Sequence, residues 1–134
     1  MPTIREIMQS DLITVEPKTP VRDAISLLIE HGISGLPVVD DQKRIVGVLS
    51  EKDILKVFYE GEQEVGALMT ADPECVSVDD PLVDVIDMLM ANNFRRVLVH
   101  EQGKLVGLVS RADLMPALFE GLLERSSLTP PIDR

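Results

Sequence analysis

Two short phrases carry the side chains best suited to holding a ligand. GVLSEKD spans residues 47–53 and GLVSRAD spans 107–113, so Gly47, Ser50 and Asp53 recur as Gly107, Ser110 and Asp113. An ionised Asp only accepts hydrogen bonds, which suits a pair of ligand hydroxyls such as a ribose diol, and a nearby Ser hydroxyl can donate to a phosphate. A β-rich run leading into a helix also leaves free N–H groups at one point. Glycine keeps the strand slim where a planar ligand could approach the backbone. The same spacing fits a structural role equally well. Ser-x-x-Asp ahead of an apolar helix resembles a capping box, whose two side chains satisfy the free backbone donors of the first turn. The two roles are compatible, and the residues leave both open.

Other candidate chemistry is weaker. No HExxH, P-loop, GxSxG or spaced metal-ligand cluster occurs, so no catalytic residue, metal or catalytic cofactor is expected. His31 and His100 fall at unrelated positions, His31 where a helix should end. Asp40-Asp41 belongs to a turn and Asp79-Asp80 to a helix start. Cys75 is the single cysteine, which excludes an internal disulfide and fits a reducing cytoplasm. A formal charge of -10 repels nucleic acid and anionic membrane surfaces. No signal segment and no run of roughly 20 apolar residues is present, so a soluble cytoplasmic protein is expected.

The elements that must position these residues come as two copies of one unit. A shift of 61 aligns Met8 with Met69, Val15 with Val76, Pro20 with Pro81, Asp23 with Asp84 and Leu28 with Leu89; beyond the turns DDQKR and EQGK, a shift of 60 aligns the two ligand phrases. Each copy reads as a short strand (ITV, CVSV), a helix, a β-hairpin and a second helix. Thr19-Pro20 and Asp80-Pro81 predict an N-cap followed by proline at the first helical position. Gly32 predicts a left-handed helix end, with Asn92-Asn93 in that role in the second copy. The strands are apolar on both faces, so each sheet should be covered by its own helices and by the other copy. The expected fold is α/β (α+β): two β-α-β-β-α repeats packed sheet to sheet with pseudo-twofold symmetry. Their expected extents are 1–60 and 67–124, with a linker at 61–66 and a flexible tail at 125–134.

The order REIM, TV-x-P-x-TP, HGISGLPVVD and GVLSEKD, followed by ALMT, CVSVDDP, NNFRRVLVH and GLVSRAD, resembles a stand-alone tandem pair of cystathionine-β-synthase-type (CBS) domains, a Bateman module. The resemblance implies two clefts between the repeats that take an adenosine-containing ligand such as AMP, ADP, ATP or S-adenosylmethionine. It places the ribose on Asp53 and Asp113, with Ser50 and Ser110 near the phosphate or ribose. The adenine pocket would be lined by Ile33, Ser34, Gly35, Leu36 and Pro37, and by Phe94, Arg95, Arg96, Val97 and Leu98. Thr14 and Val15, with Cys75 and Val76, would close the clefts.

Two departures from repeat symmetry bear on the ligand. Leu98 stands where the first copy has Pro37, and Ser34-Gly35 stands where the second copy has Arg95-Arg96. The resemblance gives the two arginines to the cleft of Asp53, which should then prefer a phosphorylated nucleotide. It also implies a regulatory role exerted on a separate effector protein. The alternative is a structural pairing module with empty clefts. A homodimer is expected, because Ile54, Leu55, Val57 and Phe58, and Leu114, Met115, Leu118, Phe119 and Leu122, put apolar side chains on more than one helix face.

Overall fold

The computed structural model describes residues 2–91 and 95–128, with side chains through residue 121. Its elements follow the order α1 (Ile4–Ile7), α2 (Val21–His31), β1 (Gly35–Val39), β2 (Ile45–Ser50), α3 (Glu51–Leu55), α4 (Val57–Glu60), α5 (Val65–Leu68), β3 (Thr70–Ala71), β4 (Cys75–Ser77), α6 (Leu82–Ala91), β5 (Arg96–Glu101), β6 (Lys104–Ser110) and α7 (Arg111–Leu128). The two repeats form two three-stranded sheets, β1-β2-β3 and β4-β5-β6.

Local signals explain how the ligand phrases are delivered. The apolar stripe of α2 buries Val21, Ala24 and Leu28, and the helix ends at Gly32 in the left-handed region at φ 62°. The Ile33 N–H then reaches back to the Leu28 carbonyl at 3.1 Å, which satisfies an end carbonyl and turns the chain into β1. The expected Thr19 cap is displaced. Pro20 is the N-cap, its carbonyl accepting from the N–H groups of Asp23 and Ala24, while Thr19 Oγ1 accepts from the Glu16 N–H in the preceding turn. Asp80 likewise takes the Ser77 N–H at 2.8 Å, ahead of α6. The Asn92-Asn93 cap lies outside the described residues.

Other expectations are corrected. ITV forms no strand of its own. Val15 makes a single parallel bridge to Val38, its N–H on the Pro37 carbonyl at 3.1 Å and its carbonyl accepting from Val39 at 2.9 Å. The first repeat's second helix breaks at Lys56 into α3 and α4. Within the stretch 61–66, Val65 is fully buried and opens α5. Helix α7 runs through Leu128, so residues 125–128 of the expected tail are helical, and 129–134 lie outside the described residues.

Each repeat's core is completed by the segment leading into the other repeat. Ile4 of α1 is buried with Val76, Val85, Val97, Val99 and Val109 of the second repeat. Val65 and Leu68 of α5 are buried with Val21, Leu36, Val38 and Leu49 of the first. The backbone follows: Gln9 bridges to Leu108 on the β6 edge, and β3 pairs with β2 through Thr70↔Val48. Pro37, Val39, Leu98 and Leu108 are buried yet belong to neither core, as expected of sheet faces covered by the other repeat. At one end the hairpins join directly, Ile45 N–H to the Gly103 carbonyl at 3.2 Å and Leu105 N–H to the Lys43 carbonyl at 3.0 Å.

The motif glycines serve this exchange rather than a ligand. Gly47 pairs with Val38, a core residue, so it faces the core. A Cβ there would lie 2.5 Å from Met69 Sδ and 2.9 Å from the Thr70 carbonyl. At Gly107 it would lie 2.8 Å from Met8 Cγ. Each methionine thus fills the slot left by a missing side chain. Gly47→Ala should cost about 1–3 kcal/mol in urea unfolding, the usual cost of overpacking. Gly107→Ala should cost less, because only the flexible Met8 side chain must move. Equal midpoints for wild type and Gly47→Ala would refute this packing role.

Candidate functional site

Ser50 and Asp53 form a complete capping box at the start of α3. The Asp53 N–H donates to Ser50 Oγ at 3.2 Å, and Asp53 Oδ2 accepts from the Ser50 N–H at 3.0 Å and from its hydroxyl at 2.9 Å. Asp53 is 8% exposed, the sole buried polar residue in the described core. Its other oxygen, Oδ1, accepts no hydrogen bond among the described residues; Lys56 Nζ is 3.9 Å away. No buried side-chain N or O among the described residues lacks a partner, so Oδ1 must reach the surface. The carboxylate therefore holds the helix start with one oxygen, while the other has only the long contact to Lys56.

The second repeat repeats the bonds from serine to carboxylate and adds one partner. Asp113 Oδ2 accepts from the Ser110 N–H at 2.7 Å and the Ser110 hydroxyl at 2.9 Å. Gln9 Nε2 donates as well, lying 3.1 Å from both Oδ1 and Oδ2. The sequence reading missed Gln9. The repeat alignment pairs it with Thr70, but nothing in that alignment reveals that its segment crosses to the other repeat's sheet.

Strand alternation divides the expected adenine-lining residues. Leu36 and Val97 point into the cores of their own repeats, as do Val15 and Val76, so these four can offer a cleft only their backbone. Pro37 and Leu98 lie on the opposite faces, buried outside those cores. Thr14 is exposed and Gly35 half-buried beside Ser50, its pairing partner in β2. Phe94 lies outside the described residues.

The structure does bring the arginines of the second repeat to the first repeat's corner. A shallow depression of about 510 Å³ is lined by Ile33, Ser34, Glu51, Arg95 and Arg96, together with the end of α2. Arg96 Nη2 donates to Ser34 Oγ at 3.2 Å, and Arg95 Nη1 lies 3.9 Å from Glu51 Oε1. Both ends of the Arg95–Glu51 pair are largely exposed, so that contact is weak and easily exchanged. Asp53 follows Glu51 by two residues on α3 but does not line the depression itself. A similar depression of about 520 Å³ along α2, bordered by Arg22 and Glu30, contains none of the motif residues. No group of three or more His, Cys, Asp or Glu among the described residues is placed to hold a metal.

Comparison with known proteins agrees with this architecture. The CBS domain profile matches residues 4–60 and again 65–120. The crystal structure of CBSX2 in complex with AMP, a protein of Arabidopsis thaliana, superposes with a TM-score of 0.81 at 33% identity, covering 91% of this chain and 99% of that one. The CBS domain pair of protein MJ0100, in complex with 5′-methylthioadenosine and S-adenosyl-L-methionine, superposes at 0.76 with 26% identity, covering 91% and 98%. An inosine-5′-monophosphate dehydrogenase of Methanocaldococcus jannaschii is 31% identical over 111 residues, 82% of this chain but 22% of the enzyme. The likeness therefore reaches only about a fifth of that enzyme's length.

Cys75 opens β4, paired in register with Leu98. Burial, and after it the Asp80 carboxylate, push its thiol above the ordinary cysteine value. Thiolate is the reactive form, so a raised pKa leaves less of it at neutral pH. Alkylation by iodoacetamide at pH 8 should be slower than for an unstructured cysteine peptide. A rate equal to the peptide's would show that the thiol is neither shielded nor shifted.

Proposed function

We propose, from the premise that this chain belongs to the CBS domain family as a tandem pair, that it is a regulatory module binding an adenosine-containing ligand between its repeats. The observation that carries the reading is the half-used carboxylate of Asp53, with Oδ2 committed to the helix start and Oδ1 accepting no hydrogen bond among the described residues. An acceptor held rigidly by its neighbours suits a ribose hydroxyl, because little ordering is left to do on binding. The AMP complex of CBSX2 and the S-adenosyl-L-methionine complex of the MJ0100 pair support the ligand class.

In this reading Arg95 and Arg96 supply the charge for a phosphate at the Asp53 cleft. The guanidinium fork binds phosphate by charge-assisted bonds, stronger than the Arg96–Ser34 and Arg95–Glu51 contacts they would replace. The Asp113 cleft lacks such a pair, since Ser34 and Gly35 occupy the equivalent positions. It should bind more weakly, or take a less anionic adenosyl ligand. Regulation would be exerted on another protein, and the charge of -10 disfavours nucleic acid as that partner.

A second reading, pairing without ligand, draws on the fact that both aspartates already serve their helix starts. A thermal-shift series with AMP, ADP, ATP and S-adenosylmethionine separates the two, since a ligand at 100 times its Kd adds about 2.7 kcal/mol of stability. A flat response to all four would favour pairing alone. Asp53→Asn should weaken binding by about 1–3 kcal/mol while leaving the apo melting curve nearly unchanged. In calorimetric titration with AMP, the double change Arg95→Ala, Arg96→Ala should abolish the tighter, salt-sensitive event. Two equal events, or no effect of the double change, would reject the assignment of the arginines.

The same chain is proposed to be a homodimer. Phe58 is 85% exposed and Phe119 is 63% exposed, with Leu55, Tyr59, Met115 and Leu118 also open on α3, α4 and α7. Such side chains are expected to be covered by a second copy. Sedimentation at micromolar concentration should give a species of twice 14.8 kDa; a monomer alone would reject the dimer.

A further inference from the structure

Beside the long Lys56–Asp53 contact of 3.9 Å, the two aspartates differ in a hydrogen bond that capping does not explain. Gln9 Nε2 lies 3.1 Å from each oxygen of Asp113 and spans the carboxylate. One N–H placed between the two oxygens is shared by them in a bifurcated contact, so a single donor covers the carboxylate that the hydroxyls of a vicinal diol would take. At the first repeat the equivalent position holds Thr70. The equivalence is geometric as well as sequential: Gln9 bridges to Leu108, and Thr70 pairs with Val48, the counterpart of Leu108. Thr70 makes no hydrogen bond to Asp53 among the described residues, and its short side chain has no amide to offer.

We propose that Gln9 is a specificity-determining residue that occupies Asp113 in place of a ligand diol, so that ribose-bearing ligands must displace it at the second cleft but meet no such competitor at the first. The proposal rests on the ligand reading given above and adds its selective element. That element reaches the second cleft from the first repeat's leading segment: α1 is anchored in the second core by Ile4, and the Gln9 backbone is held by Leu108 through bonds of 2.8 and 2.9 Å. The side chain is therefore presented to Asp113 from a fixed backbone. A ligand has to displace a shared N–H already bound to a charged acceptor.

Calorimetric titration with AMP of wild type, Gln9→Ala and Thr70→Gln tests this. Gln9→Ala should strengthen the weaker event by about tenfold, or reveal a second event where wild type shows one, the scale expected for hydrogen bonds to a charged group. The tighter event should be unchanged. Thr70→Gln should weaken the tighter event to a similar extent. A merely structural role for Gln9 could lower affinity on removal but would not raise it. An unchanged or weakened second event in Gln9→Ala, while the tighter event persists, would overturn this proposal and leave the ligand reading standing. Absence of AMP binding in all three proteins would overturn the ligand reading and this proposal together.

Discussion

The fold depends on an exchange: the segment leading into each repeat completes the other repeat's sheet and core. Met8 fills the slot at Gly107, and Met69 fills the slot at Gly47. A repeat of about 60 residues buries too little apolar surface to be secure alone, and its apolar sheet would keep one face open to water. Crossing the leading segments ties the two cores together, because neither is complete without chain from the other half. At Gly47 the Thr70 carbonyl as well as Met69 stands where a Cβ would lie, so glycine is needed there more strictly than at Gly107, where only the Met8 side chain intrudes.

The capping box links this framework to ligand chemistry. At the start of α3, Asp53 satisfies the Ser50 N–H and hydroxyl, and Ser50 satisfies the Asp53 N–H. Two residues thereby fix each other's rotamers, and an acceptor oxygen is left in a defined direction at no further cost in ordering. The capping role uses one oxygen of the carboxylate, and the proposed binding role would use the other. This is why the capping and ligand interpretations could not be separated from residue types alone: a Ser-x-x-Asp spacing is the same in both cases, and only the partner of Oδ1 distinguishes them.

Much of the architecture was legible in the sequence because it is local. Gly32 ends α2 in the left-handed region, the apolar stripes of α2 and α6 face the cores, and the hairpins fall at the polar turns. What was not legible depends on distant chain. Thr19 does not cap α2 because its hydroxyl is held by the Glu16 N–H, leaving Pro20 at the cap. Gly47 faces Met69 rather than a cleft because α5 and β3 cross to the first sheet. Leu36 and Val97 belong to cores rather than to a ligand pocket because strand register, not their place in the motif, sets their direction. A repeat alignment shows which residues are equivalent, but not which half of the molecule each one serves.

That last distinction governs how the two clefts diverge. Pseudo-twofold symmetry supplies the same carboxylate twice, so differences must come from residues outside the capping box. They arrive from opposite halves. Arg95 and Arg96 of the second repeat approach the first repeat's corner through Ser34 and Glu51, adding positive charge. Gln9, ahead of the first repeat, reaches Asp113 in the second and takes up its acceptors. On the proposed ligand reading both contributions act in the same sense, favouring an anionic ribose ligand at Asp53 over Asp113. The arginines belong to the second repeat's own body, so loosening the contact between the halves would withdraw them from the first repeat's corner, whereas Gln9 is anchored on the second repeat through Ile4 and Leu108 and would stay with Asp113. On the proposed ligand reading, the packing of the two repeats thus also decides which side chains reach each aspartate.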